Sequence, residues 1–200
     1  MGWRDDSGRS VLRLGVMVAV CCAAILTTLG GTVSEGQANA LDLTQPGTVV
    51  LMRHALAPGT GDPDNFQIGQ CSTQRNLNDR GRAQSEEIGA ALRAAGLSDV
   101  AVYTSQWCRC EETAELLGIG PVTPEPALNS FFGRPHVRAE ILADFETFVA
   151  NLPEDGPPVV MVTHMVNIFA IAGRSVASGG MVVMRRDGDG LAFIGPWEGS

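Results

Sequence analysis

The 200-residue chain contains no lysine; all 14 of its cationic side chains are arginine. This absence excludes chemistry that needs a side-chain amine: a Walker phosphate loop, a Schiff-base enzyme or a Ser-Lys hydrolase. It leaves guanidinium as the only fixed cation for gripping an oxyanion, a task its planar fork suits because it donates two parallel hydrogen bonds. Positive charge is scarce overall. The net charge of −8 argues against nucleic acid and against an anionic membrane surface as partners, although an acidic average leaves room for a local basic pocket. There are three histidines, without the carboxylate spacing of a metal motif, so neither a metal nor another cofactor is expected. The Cys-x5-Arg loop is missing, since six positions beyond Cys71 and Cys108 stand Leu77 and Ala114. A Gly-x-Ser-x-Gly elbow is missing as well, and there is neither a repeat nor a low-complexity tract.

What is present begins with a segment of different character. Arg4, Arg9 and Arg13 precede an apolar run from Leu14 to about Leu29, and a polar stretch then ends in Ala38-Asn39-Ala40. These are the parts of an export signal: a basic start, an apolar middle and a small-residue cleavage site. The reading is a cleaved signal peptide over 1–40, with a single domain over 41–200 in the periplasm or outside the cell. An N-terminal membrane anchor is the alternative, and then this segment is the only part to meet a membrane. The run is short for a span and carries Thr27 and Thr28. Lipidation at Cys21 or Cys22 is disfavoured, because Val20 and Cys21 are poor preceding residues. In an oxidising compartment the mature chain keeps three cysteines: Cys71, Cys108 and Cys110. Cys108 and Cys110 lie too close along a helix to pair. A bridge from Cys71 to Cys108 or Cys110 is expected, the alternative being three small buried thiols.

After residue 40, strand and helix patterns alternate. Strands are expected at about Thr48–Met52, Val100–Thr104 and Pro157–His164, with an extended, proline-bearing edge segment at Val122–Leu128. A helix capped by Asn78 or Asp79 reaches about Ala95, with Ala83, Ile88, Ala91, Leu92 and Ala95 on its inner face. Further helices cover about Gln106–Leu117, Ile141–Leu152 and the residues from His164 to Ala172, and a hairpin closes around Asp187–Gly190. The alternation implies an α/β fold: a three-layer α/β/α sandwich around a mostly parallel central sheet. In such sheets the carboxyl ends of the strands share one edge, where ligands bind. Arg53 and His54 end the first strand, Arg109 opens a helix just after the second, and His164 ends the third long one. Two imidazoles and two guanidiniums are thus expected in one pocket.

Four segments then resemble, in order, the signatures of the histidine phosphatase superfamily, branch 1, with its phosphoglycerate mutase-like fold. "LMRHALAP" resembles the Arg-His motif after the first strand. "NLNDRGRAQ" resembles the Leu-x-x-x-Gly-x-x-Gln segment opening the first helix. "YTSQWCRCEETAELL" resembles the segment with a serine, an arginine four residues on, and Thr-Ala in the same helix. "VVMVTHMVNI" resembles the strand ending in Thr-His. Together they span Val49 to Ala172.

The resemblance implies that His54 is the nucleophile, forming a phosphohistidine that water hydrolyses, while Arg53, Arg109 and His164 clamp the phosphate. Neutral imidazole is a competent nucleophile near neutral pH. Arg75 and Asn129 are further substrate-binding candidates, Arg75 against the plainer reading of a solvated loop arginine. His136 is read as surface, and Phe131 and Phe132 as core. No general acid stands where the family places one: Asn129 and Ser130 occupy one such stretch and Met165 another, leaving Glu125, Asp62 and Asp64 as substitutes. A missing acid favours substrates with good leaving groups, such as phosphohistidine, acyl phosphate or pyrophosphate. The implied function is a metal-independent phosphatase acting on a small phosphorylated substrate or a phosphoprotein. The alternatives are a mutase or phosphotransferase of the same fold, an inactive phosphate- or anion-binding protein, and a periplasmic metal-binding protein.

Overall fold

The computed structural model describes residues 41–197. The signal segment expected over 1–40 and its cleavage near Ala40 lie outside these residues. Six strands form one sheet: β1 (Thr48–Arg53), β2 (Ala101–Thr104), β3 (Val122–Pro124), β4 (Val159–Thr163), β5 (Met181–Asp187) and β6 (Gly190–Trp197). Their spatial order is β3-β2-β4-β1-β5-β6. The first four in that order run parallel, and the β5–β6 hairpin joins antiparallel to β1. The two central strands, β1 and β4, carry near-continuous apolar runs because both of their faces are covered.

Alternation along these strands feeds two cores. Val50, Met52, Val160 and Val162 point to one face, where α1 (Asp79–Ala94) and α2 (Cys108–Leu117) contribute Leu92, Cys110, Ala114 and Leu117. Val49, Leu51, Val159 and Met161 point to the other, packing against Phe145 and Val149 of α3 (Arg138–Ala150) and Ile168 of α4 (Met165–Ala172). The result is the three-layer sandwich with helices on both faces.

Two local departures from the expected pattern have clear causes. The buried stripe of α1 is Gly81, Ser85, Gly89 and Leu92, whereas Ala83 is exposed and Ile88, Ala91 and Ala95 are only partly covered. Small residues win this face because the helix lies against backbone. A Cβ on Gly81 would stand 2.1 Å from the carbonyl oxygen of Leu56, and one on Gly89 would stand 2.0 Å from that of Leu117. The segment expected to stay extended to Leu128 instead stops at Pro124, and a 3-10 turn over Pro126–Leu128 follows, capped by the Glu125 side chain. Asn78 caps α1, its side chain accepting from the Gly81 N–H at 2.9 Å. Among the described residues no helix is long and apolar enough to cross a membrane.

Candidate active site

The register of the central strands makes the site. In the parallel pair β1–β4, Arg53 stands opposite Thr163, so the residues that follow, His54 and His164, leave the sheet side by side. The His54 N–H donates to the Thr163 carbonyl at 3.0 Å, and the Ser105 N–H beyond β2 donates to the Val162 carbonyl at 2.9 Å. The two imidazole centroids are 5.5 Å apart and the rings meet edge to face.

His54 is 3% exposed. Its Nδ1 lies 2.8 Å from the Ala55 carbonyl oxygen. A carbonyl only accepts, so Nδ1 carries the proton and Nε2 holds the lone pair. The same assignment satisfies the other side of the ring, where Arg109 Nε donates to His54 Nε2 at 3.3 Å. Burial holds the His54 pKa down at about 3; the Ala55 hydrogen bond opposes this, and the charges of Arg109, Arg75 and Arg53 add to it. The imidazole is therefore neutral throughout the physiological range. Thr113 fixes the chain at this point, accepting from the Ala55 N–H at 3.1 Å and donating to the Arg109 carbonyl at 2.6 Å.

His164 precedes α4 and is fully buried among Ser105, Cys110 and Trp107. Its Nε2 lies 2.9 Å from Ser105 Oγ and 3.5 Å from Cys110 Sγ. Asn129 Oδ1 accepts from the Gln106 N–H at 2.9 Å and from Ser105 Oγ at 3.2 Å. Because Ser105 gives its one proton to Asn129, it accepts from His164, which places the His164 proton on Nε2. Burial, then the neighbouring His54 and arginines, keeps this imidazole neutral as well. Asn129 thus serves the network behind His164, and the cavity lining does not include it. The signal for this role was Ser105, the serine of the YTSQWCRCEETAELL segment.

Arg109 is 3% exposed and fully committed. Besides His54 it donates through Nη1 to Asp62 Oδ1 at 2.7 Å, through Nη2 to Asp62 Oδ2 at 3.2 Å, and through Nη1 to the Arg75 carbonyl at 3.2 Å. Asp62 also accepts from Trp107 Nε1 at 3.0 Å and from the Arg75 N–H at 3.1 Å. Burial raises its pKa, but the Arg109 and Arg75 hydrogen bonds, the Arg109 charge and the Trp107 hydrogen bond together outweigh burial and leave it lowered. Asp62 is ionised at rest. Arg53 donates through Nη1 to the Val176 carbonyl at 3.0 Å. Arg75 is partly buried rather than solvated; it bonds the Gly61 and Ala57 carbonyls and closes the loop from Ala55 to Leu77 on itself.

That loop is tied to the helix bearing Arg109 by a disulfide between Cys71 and Cys108, with Cα atoms 5.6 Å apart. Gln74 reinforces the joint, its Oε1 accepting from the Cys108 N–H at 3.0 Å. Cys110 is a free, buried thiol whose pKa burial pushes up to about 12.

Arg53, His54, Arg75, Arg109 and His164 all line one open cavity of about 570 Å³. Asp62 and Asp64 line it too; Glu125, occupied as a turn cap, does not. His136 is exposed and lies outside the lining. The wall includes Trp107, stacked on Phe66 at 4.8 Å between centroids and covered by the Arg134 guanidinium at 5.1 Å. Phe132 is 52% exposed at the mouth and Phe131 is only partly buried, so neither belongs to the core. Trp107 and Arg134 were not singled out in the sequence; Trp107 sits inside the YTSQWCRCEETAELL segment, and Arg134 two residues after Phe132. A hollow of about 680 Å³ between α1 and residues 175–181 has no histidine or arginine in its lining. Among the described residues no three His, Cys, Asp or Glu side chains gather where they could hold a metal ion.

Residues 49–134 match the sequence model of the histidine phosphatase superfamily (branch 1). No curated protein sequence matches the chain significantly. Solved structures do. A protein described as a phosphohistidine phosphatase, SixA, from Agrobacterium tumefaciens shares 19% identity, covers 78% of this chain and 99% of its own, and superposes with a TM-score of 0.53. A protein histidine phosphatase SixA complexed with tungstate shares 15% identity over 76% of this chain and 96% of its own, with a TM-score of 0.51. A mycobacterial glucosyl-3-phosphoglycerate phosphatase shares 15% over 78% of this chain and all of its own, also at 0.51. At these identities the likeness to the solved structures is one of fold. The sequence match to the histidine phosphatase superfamily (branch 1) covers the segment that carries Arg53, His54 and Arg109, and the fold is shared with solved phosphatases of that kind.

Proposed function

We propose that the protein is a phosphatase that works through a covalent phosphohistidine on His54. The observation that carries this reading is the state of that side chain: neutral, with its proton fixed on Nδ1 and its Nε2 lone pair accepting from Arg109 Nε, in the wall of an open cavity that Arg53 and Arg75 also line. The match of residues 49–134 to the superfamily model supports phosphatase activity in general. The His54 Nε2 lone pair attacks phosphorus, the N–P bond forms as the bond to the leaving oxygen breaks, and water then releases phosphate and restores the imidazole. Phosphoryl transfer asks chiefly for in-line placement and for charge stabilisation of the equatorial oxygens. Arg53, Arg109 and Arg75 are placed to supply it, while His164, neutral and with its proton held by Ser105, borders the same cavity. The substrates are phosphomonoesters or other phosphorylated compounds, small or protein-borne.

The reading includes export. A disulfide belongs to an oxidising compartment, and residues 1–40 supply the signal. A second reading, anion binding without turnover, is favoured by one observation: the Arg109 fork is already occupied by Asp62. One experiment separates the two. Aryl phosphates, acyl phosphates and phosphohistidine are presented to the wild-type protein and to His54→Ala, with phosphoprotein trapped by acid-free quenching. Turnover together with an acid-labile, alkali-stable adduct in the wild type alone is the expected result. Turnover that persists in His54→Ala overturns the assigned nucleophile, and anion binding without turnover establishes the second reading.

A further inference from the structure

We propose that Asp62 is the proton donor of this site and that the substrate arms it: an entering phosphoryl group takes the Arg109 fork from the Asp62 carboxylate, which then picks up the proton it delivers to the leaving oxygen. The proposal rests on the phosphatase reading and goes beyond it, because the resting site holds no free acid.

The geometry forces a competition. Arg109 touches the attacking nitrogen of His54 with Nε and grips Asp62 with Nη1 and Nη2. A phosphoryl group poised for attack by His54 lies against the same guanidinium, and it seeks the same two-pronged contact that the carboxylate holds. The ion pair is enclosed, with 4% of the Arg109 side chain and 16% of the Asp62 side chain exposed, so water does little to soften the contest. When the fork turns to phosphate, Asp62 keeps its place through Trp107 Nε1 and the Arg75 N–H. It has then lost its cation and gained a dianion as neighbour. Burial already pushes its pKa upward and is opposed chiefly by Arg109; with that opposition removed, the balance moves toward the protonated form. The charged and titratable groups around it are Arg109 and Cys110 of α2, Arg75 of its own loop, Arg53 and His54 at the end of β1, His164 before α4, Arg134 across the cavity, and Asp64 two residues along. Asp64 is exposed and Glu125 is engaged as a cap, so neither is held as Asp62 is.

The steps balance. As His54 Nε2 bonds to phosphorus, the electrons of the P–O bond pass to the leaving oxygen, which takes the Asp62 proton and departs as an alcohol. A water molecule then attacks phosphorus while giving one proton to the Asp62 carboxylate. The N–P electrons return to Nε2, phosphate leaves, and Asp62 releases its proton to solvent as Arg109 closes on it again.

Sulfate, a tetrahedral dianion that does not titrate near neutral pH, probes the arming step without chemistry. Calorimetry in two buffers of different ionisation enthalpy is expected to show proton uptake on sulfate binding by the wild type, reduced by up to one proton in Asp62→Asn, which also binds sulfate more tightly. Infrared difference spectra of the wild type are expected to gain a protonated-carboxyl band, a readout that needs no variant to fold. In turnover, Asp62→Asn should lose about a hundredfold or more on an alkyl phosphate but less than about tenfold on 4-nitrophenyl phosphate, whose leaving group needs no proton. An equal loss on both substrates, or sulfate binding with neither the band nor the difference in uptake, overturns the proposal. If the phosphatase reading fails, that shows separately, as wild-type inactivity or as turnover in His54→Ala, while the sulfate measurements still judge Asp62.

Discussion

His54 is set for its chemistry by two contacts, one to its own chain and one to Arg109, and by burial. The energetic consequence is testable in the folded protein without substrate. The native imidazole titrates at about 3 instead of the ordinary 6.5, so as pH falls below about 6.5 the unfolded chain binds a proton that the native state refuses. The stability tied to His54 is therefore complete above about pH 7 and drains away between about 6.5 and 3. At pH 4.5 the loss is about 2–3 kcal/mol from this residue, and His164 acts in the same direction. Denaturant unfolding of wild type and His54→Asn at pH 7.5 and 4.5 should show the wild type losing more on acidification; equal losses contradict the assignment. His54, Arg53, Arg109 and His164 were legible as a group because each stands next to a recognisable strand or at a helix start. Asp62 was one carboxylate among three candidates. Its place depends on how a twenty-residue loop returns on itself, which no periodicity records. The bonds of Asn129 to Ser105 and Gln106 were not legible, because its neighbourhood, not its own position in the chain, decides what it bonds.

The elements show why the motif residues are what they are. Gly81 brings α1 into contact with the Leu56 carbonyl, and Gln84, one turn on, accepts from the Leu56 N–H at 2.9 Å and donates to the Ser178 carbonyl at 2.9 Å. The segment recognised in the sequence as Leu-x-x-x-Gly-x-x-Gln is thus the clasp that steers the chain just after His54. Strands and helices were readable almost residue by residue wherever both faces are apolar, as in β1 and β4. They were less readable in α1, whose inner face is chosen for smallness. The loop carrying Asp62 and Arg75 has little core of its own and depends on the Cys71–Cys108 bond, which closes a loop with a sequence separation of 37 residues. Loop-closure entropy puts the worth of such a bond at about 4 kcal/mol, within a measured span of roughly 2–5 kcal/mol. Cys71→Ser should lower unfolding stability by about that amount, and dithiothreitol should do the same to the wild type and nothing to the variant. If reduction leaves the unfolding midpoint of the wild type unchanged, the bond does not hold the loop.

At the scale of the molecule, an acidic chain keeps four of its arginines, Arg53, Arg75, Arg109 and Arg134, around one hollow at the carboxyl edge of the sheet. The layer order and the parallel core followed from the alternation of strand and helix patterns. The joining of β5 and β6 beside β1 did not, because the hairpin's position in the sheet is decided by which edge remains open. The placement of three sulfurs carries a further consequence. Cys110 is two residues beyond Cys108 and sealed beneath His164 once the chain is native, but a newly made, reduced chain offers Cys71 two nearly equivalent mates. Pairing with the wrong one would drag Cys110 out from under the imidazole, so such a by-product is a dead end that only thiol exchange can rescue. Oxidative refolding should accordingly give more native protein in a glutathione redox buffer than in air alone, and Cys110→Ser should erase that difference by leaving Cys71 a single choice.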